Sequence, residues 1–324
     1  MDVLSDVLAA LRLKGTLYFS TDFRPAWGLR VPRFRRVARF HLVSRGACWI
    51  RIDGVAEPIR LEAGDIILIP QGAEHVLADT PDTPCRTVEE VVKAAGFTGK
   101  GALAIGGEDD GAPTRLVCGH FEFDEDFEHP LLEQLPPALV VRWDEQNRNY
   151  PLEEAFRFIV REVHEGRPGH EAVVGRLSEI LFVQLVRSWA AGAEHRRGLL
   201  AALLDPRLGA ALAAIHADPS ARWTLEALSR RAAMGRTAFA ERFTAVMGHT
   251  PLRYVTLWRM QLAKRMLADS RLSLEQIADR VGYESGPAFS RVFKKAAGMS
   301  PGAYRQSSRR SPADAERTAM AIGA

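Results

Sequence analysis

The feature that most constrains this chain is an internal repeat. TLEALSRRAAMGRTAFAERFTAVMGHTPLRY at 224–254 aligns with SLEQIADRVGYESGPAFSRVFKKAAGMSPGAYR at 273–305, at an offset of 49 that becomes 50 after one inserted residue at a turn. Leu225/Leu274, Glu226/Glu275, Arg231/Arg280, Phe239/Phe289, Phe243/Phe293, Gly248/Gly298, Pro251/Pro301 and Tyr254/Tyr304 are identical pairs. Each copy reads as a short helix, a tight turn and a second helix. In the second copy Ser273 and Gln276 form a capping box, Leu274, Ile277, Ala278 and Val281 make an apolar stripe, and Gly282 stops the helix. The next helix starts after Ser285, tolerates Pro287 in its first turn and ends at Gly298, with Pro301 beyond. Between the copies, PLRYVTLWRMQLAKRMLAD (251–269) reads as one linker helix.

The second helix of each copy has two faces. Phe289 and Phe293 are spaced to hold it on a core while Ser290, Arg291, Lys294 and Lys295 face outward; in the first copy Phe239 and Phe243 anchor, and Thr237, Ala240, Glu241 and Thr244 face out. Arg236, at the start of that helix, is the better phosphate candidate. Charge supports double-stranded DNA as the partner: residues 222–310 hold 17 Lys and Arg against 6 Asp and Glu, a net +11 in a chain of net +3, which leaves −8 for the rest. Two such helices fixed in one chain can enter successive major-groove faces about 34 Å apart.

Residues 222–306 resemble the DNA-binding domain of the AraC/XylS family of transcriptional regulators, through WRMQLAKRML, IADRVGYES, FSRVFKK and GMSPGAYR. The resemblance implies base contacts from Thr237, Ala240 and Glu241 in the first recognition helix, and from Gly286, Pro287, Ser290 and Arg291 in the second. For an activator it also implies a contact with RNA polymerase.

Residues 15–123 change character, with short β-rich runs (RFHLVSRG, CWIRIDG, PIRLEAGDIILIP, TRLVCGHFEF) broken by Gly, Pro and Asp, as in a sandwich or barrel. Gly64, Pro70, Gly72, His75 and Asp79 stand in the pattern G-x5-P-x-G-x2-H-x3-D, which resembles the second cupin motif. VPRFRRVARFHLVSRG offers no H-x-H and has Arg39 near where a metal-binding cupin has Glu, so neither a metal nor another cofactor is expected. His41, His75, Cys118 and His120 are the candidate ligand-binding residues, for a small-molecule or a redox effector. A redox- or zinc-responsive regulator built on Cys118 and neighbouring histidines is one alternative, inert buried thiols and core histidines are another, and a metal-dependent cupin enzyme with a DNA-binding tail is a third. The stretch 80–114 reads as a mobile insertion.

LEEAFRFIVREVHEG and HEAVVGRLSEILFVQLVRSWA form a helical hairpin whose apolar residues, Leu177, Ile180, Leu181, Leu185 and Val186 among them, fit either packing on the cupin or a homodimer interface. The expected architecture is therefore multidomain α and β. It comprises a cupin-like β-sandwich or barrel over 1–145, a helical hairpin over 146–195, an all-α double helix-turn-helix domain over 196–306 and a disordered tail over 307–324. Three scattered cysteines and no run of about 18 apolar residues fit a cytoplasmic protein without membrane contact.

Overall fold

The computed structural model describes residues 3–10, 13–34, 37–99, 101–106, 111–123, 131–132, 135–142, 150–191 and 197–310. They form two compact units, one sheet-rich and one helical.

The sheet-rich unit is a sandwich. Among the described residues one sheet runs β11 (Leu139–Val141), β6 (Ile66–Ile69), β3 (Val37–Arg45), β10 (Arg115–Glu122), β1 (Lys14–Phe23), β9 (Ala102–Ile105). The other runs β5 (Ile59–Glu62), β4 (Ala47–Ile52), β7 (His75–Ala78), β2 (Gly28–Val31), β8 (Arg86–Thr87). Alternation sends Val43, Ile67, Ile69, Leu116 and Cys118 of the first sheet and Leu29, Val31, Cys48, Ile50 and Leu77 of the second into one shared core.

The far face of the larger sheet is covered by the hairpin α3 (Tyr150–Glu165) and α4 (His170–Ala191). Phe182 of α4 sits 5.2 Å from the Phe121 ring, itself 4.9 Å from Phe40. A Cβ on Gly15 would meet the Gly175 carbonyl oxygen at 2.8 Å, so only glycine lets β1 and α4 approach this closely. Leu177, Leu181, Leu185 and Val186 are buried, whereas Ile180 is 49 % exposed. Packing on the sheet thus uses most of the apolar stripe, and the hairpin is part of the sandwich unit rather than a segment apart.

The expected mobile insertion at 80–114 is corrected where it is described. Thr87 and Glu90 form a capping box that starts α2 (Val88–Ala94), whose Val88, Val91 and Val92 enter the core. β9 then pairs in parallel with β1 from Ser20↔Ala102 to Phe23↔Ile105. Residues 107–110 lie outside the described residues.

The helical unit holds α5 (Leu199–Leu204), α6 (Pro206–Ala217), α7 (Leu225–Arg231), α8 (Arg236–Met247), α9 (Pro251–Asp269), α10 (Leu274–Arg280), α11 (Gly286–Ala297) and α12 (Pro301–Arg310). It also holds α1 (Val3–Ala10), which packs on α6 and α9 with Val3 and Val7 buried. Beside them His216 shares a hydrogen bond of 2.9 Å with the Tyr254 hydroxyl, stacks on Trp258 at 4.0 Å and lies 3.7 Å from the Asp6 carboxylate. The first helix therefore does not belong with the cupin-like region as 1–145 implied, because its apolar side finds its cover on the helical unit. The end of the chain differs too: α12 runs to Arg310, four residues past 306, and the remainder of the expected disordered tail lies outside the described residues.

Candidate functional site

Two helix-turn-helix modules are built as the repeat requires. Ser273 and Gln276 form the capping box of α10, the Ser285 hydroxyl accepts from the Ala288 amide to start α11, and Gly298 ends it in the left-handed region. The turns match in conformation though not in residue: Gly282 has φ +76° and its counterpart Ala233 has φ +49°. Phe239, Phe243, Phe289 and Phe293 are all fully buried. Each recognition helix is thereby clamped along one side.

The outward sides carry most of the sequence-predicted residues. Arg236, Thr237 and Glu241 on α8 are exposed, as are Pro287, Arg291, Lys294 and Lys295 on α11. Ala240, Thr244 and Ser290 are half-buried, and the Thr244 hydroxyl donates to the Ala240 carbonyl at 2.7 Å. Gly286 differs from expectation. It is buried, its amide donates to Glu275 Oε2 at 2.8 Å, and a Cβ there would lie 2.6 Å from Glu275 Oε1. It is the joint between α10 and α11 and has no exposed group with which to read a base. Sequence reasoning missed Glu275, whose identity with Glu226 was visible but whose partner is a backbone amide.

In the sandwich unit, three of the four candidate ligand residues converge from separate strands. His75 Nδ1 lies 2.9 Å from the Ala73 carbonyl oxygen, which can only accept, so Nδ1 carries the hydrogen. Neutral His75 then has a lone pair on Nε2, to which His41 Nε2–H donates at 2.8 Å. His41 Nδ1 is left as an acceptor, and the Cys118 thiol donates to it at 3.1 Å. The result is a directed chain, Cys118 to His41 to His75 to Ala73. His120 does not join it and instead meets Glu122 at 2.9 Å.

Burial governs the ionisation of this chain. It lowers His75 to about 4, with Arg39 pushing the same way against the Ala73 bond. His41 is held well below its ordinary value by burial, then by His75 and Arg39. Burial, with Cys48 adding to it, pushes the Cys118 thiol up, and burial pushes Cys48 to about 12. A protonated thiol is a poor metal ligand and a slow nucleophile. Both nitrogens of His41 are engaged, Arg39 sets a guanidinium nearby, and among the described residues no group of three or more His, Cys, Asp or Glu is arranged to hold a metal ion. A metal or an oxidant acting here would have to break the His41–His75 and Cys118–His41 bonds and deprotonate the thiol.

Cys118, His41 and Arg39 also line a cavity of about 260 Å³ whose walls are otherwise mainly apolar: Phe19, Leu29, Val31, Phe34 and Val88. The Arg39 guanidinium lies 4.6 Å from the Phe34 ring centre. Exposed Arg30, Pro32, Thr87 and Glu89 form its rim. The sequence flagged Arg39 only as a residue out of place for a metal site. Phe19, Leu29 and Val88 gave no signal beyond their apolar character.

Comparison with known proteins finds a family match in each part of the chain. Residues 2–191 match the cupin family and residues 228–307 a helix-turn-helix domain family. The cupin match thus begins ahead of α1, which the packing nevertheless assigns to the helical unit. An AraC-like transcription regulator of Streptomyces lividans is 34% identical over 94% of this chain and 98% of its own length. The HTH-type transcriptional regulator AlkR of Acinetobacter baylyi is 30% identical over 95% of this chain and 100% of its own. Among solved structures, the DNA-binding domain of AdpA in complex with a target DNA is 33% identical, covering 33% of this chain and 97% of that one, with a TM-score of 0.32. No helix among the described residues is long and apolar enough to cross a membrane. With a cupin domain ahead of a duplicated helix-turn-helix and near end-to-end alignment with such regulators, the chain belongs to the AraC-type family of DNA-binding transcription regulators.

Proposed function

We propose that this regulator is switched, in the cytoplasm, by a small and mainly apolar effector seated in the cavity of the sandwich unit, and that it carries out no catalysis of its own. The observation that carries the reading is that cavity: about 260 Å³, smaller than the roughly 300–1,000 Å³ of drug-sized sites, with apolar walls and polar atoms from Arg39, His41 and Cys118. His41, the histidine on its wall, is held neutral with both nitrogens bonded within the chain, so the charged group the wall presents is the Arg39 guanidinium. Occupancy would then shift the population of DNA-binding-competent molecules by its differential affinity for the two states. Arg291 and Glu241 would read base edges, with Arg236, Lys294 and Lys295 on phosphates.

Val88→Trp fills the cavity from α2 and tests the reading. In a thermal-shift screen of small molecules, hits on the wild type should be apolar compounds with a single polar head, and they should fail on the variant. The variant should still protect the same bases upstream of its own gene in a footprint. Hits confined to sugars or polyvalent ions, or hits unaffected by Val88→Trp, would remove the cavity from the mechanism.

A further inference from the structure

The two helix-turn-helix modules are joined by more than their connecting helix. Arg259, on α9, spreads its guanidinium across both. Nε donates to the Pro219 carbonyl at 2.8 Å and Nη2 to the Ala221 carbonyl at 2.8 Å, both on the loop that leads into α7. Nη1 donates to the Gly282 carbonyl at 3.2 Å, in the turn between α10 and α11. The same group lies 5.6 Å from the Tyr283 ring centre. A planar fork with five N–H donors can bond several carbonyls at once, which a lysine ammonium on a flexible stem cannot do with fixed directions.

Both sides of this clasp are preformed. The Asp218 carboxylate accepts from the Ser220 and Ala221 amides at 3.1 Å and from the Ser220 hydroxyl at 2.7 Å, and the Trp223 indole donates to the Asp218 carbonyl at 2.8 Å. On the other side, Gly282 has φ +76°, and a Cβ on it would lie 2.4 Å from the Ser220 carbonyl oxygen and 2.6 Å from Arg259 Nη2. The turn of the second module therefore rests directly on the leading loop of the first. Neither contact belongs to the exposed sides of α8 and α11.

We propose that Arg259 is a positioning residue that sets the separation and rotation between the two recognition helices, and so the spacing between the two half-sites one chain reads. A helix alone permits bending and twisting along its length. The clasp closes the linkage at a second point, and a closed linkage has one geometry. Arg259 touches no base in this reading, so it determines how far apart the words stand and not what they are.

Selection of full-length protein on random-sequence duplex DNA tests this directly. The wild type should return two short words at one separation, and moving them one base pair apart should cost on the order of tenfold in affinity, comparable to a mismatched pair. Arg259→Met should return the same words over a spread of separations, with the one-base-pair penalty reduced to about twofold. Arg259→Lys should fall between. Gly282→Ala keeps the arginine in the sequence but drives a Cβ against both the Ser220 carbonyl and the guanidinium, opening the clasp from the other side, so it should broaden spacing as Arg259→Met does, and it serves in place of that variant if Arg259→Met fails to fold. A variant that keeps the single wild-type separation would overturn the proposal, and so would one that selects different words. A merely structural role would lower stability and affinity together while leaving the spacing distribution unchanged.

Discussion

Each group in the Cys118, His41, His75, Ala73 chain is satisfied in one protonation pattern only, and this couples the sensor's stability to pH. His75 has a folded value of about 4 against about 6.5 for an unfolded histidine, so between those values the unfolded chain binds the extra proton. Stability is complete above the unfolded value and declines as pH falls toward the folded one. Over the whole window the His75 contribution is about 3 kcal/mol, taking roughly 1.4 kcal/mol per unit. His41 acts with the same sign. The urea midpoint of the sandwich, followed by amide-exchange protection in β3 and β10, should therefore fall between pH 7 and pH 4.5. His75→Leu should be less stable at pH 7 by about 1–3 kcal/mol, because it leaves the buried His41 N–H without an acceptor. It should also flatten the slope below pH 6.5, and an equal slope in variant and wild type would rule out His75 as the titrating group.

At the scale of elements, the two modules share a plan but not their joints. In the second, Glu275 bonds the Gly286 amide and places a carboxylate at the positive end of α11, which ties α10 to α11 and occupies the place a phosphate would otherwise favour. In the first, the matching Glu226 is 69 % exposed and lies 4.0 Å from Arg230, and α8 starts at Gly235 without a side-chain cap. The start of α8, next to exposed Arg236, is accordingly the better phosphate seat of the two. Glu275→Ala removes an anchoring bond worth about 1 kcal/mol at this partly exposed position. It should speed amide exchange in the first turn of α11 and weaken binding to the half-site read by α11 several-fold, while the other half-site keeps its affinity. Equal weakening at both half-sites would show that the bond steadies the domain as a whole. The contrast also shows why identical residues in a repeat need not share a role: Glu226 and Glu275 match, but only Glu275 meets a glycine amide within reach.

At the scale of the whole molecule, what was legible in the sequence was local. Caps, turn glycines and the Phe pairs announce both modules because each signal spans fewer than a dozen residues, and His75 stands inside a contiguous motif. Convergence of His41, His75 and Cys118 depends on strand order, since the cysteine is 77 residues from His41. Arg259 bonds backbone carbonyls, which every residue possesses, so no side-chain pattern could identify its partners. The placement of α1 is the largest such gap. Among the described residues α1 lies in the helical unit, the sandwich is built from Lys14 onward, and the helical unit resumes with α5 at Leu199. Val7, 1 % exposed, is the residue on which this docking turns. Val7→Asp would bury an unpaired carboxylate unless α1 detaches, and detachment is cheaper than the several kcal/mol such burial costs. In the full-length protein the variant should raise amide exchange in α6 and α9 by about tenfold or more while leaving β3 and β10 protected, since tenfold corresponds to about 1.4 kcal/mol of lost local stability. Ala9→Asp, on the exposed side of the same helix, should change neither. If Val7→Asp left α6 and α9 as protected as in the wild type, α1 would not be part of the helical unit in solution, and the chain would be two units in simple succession.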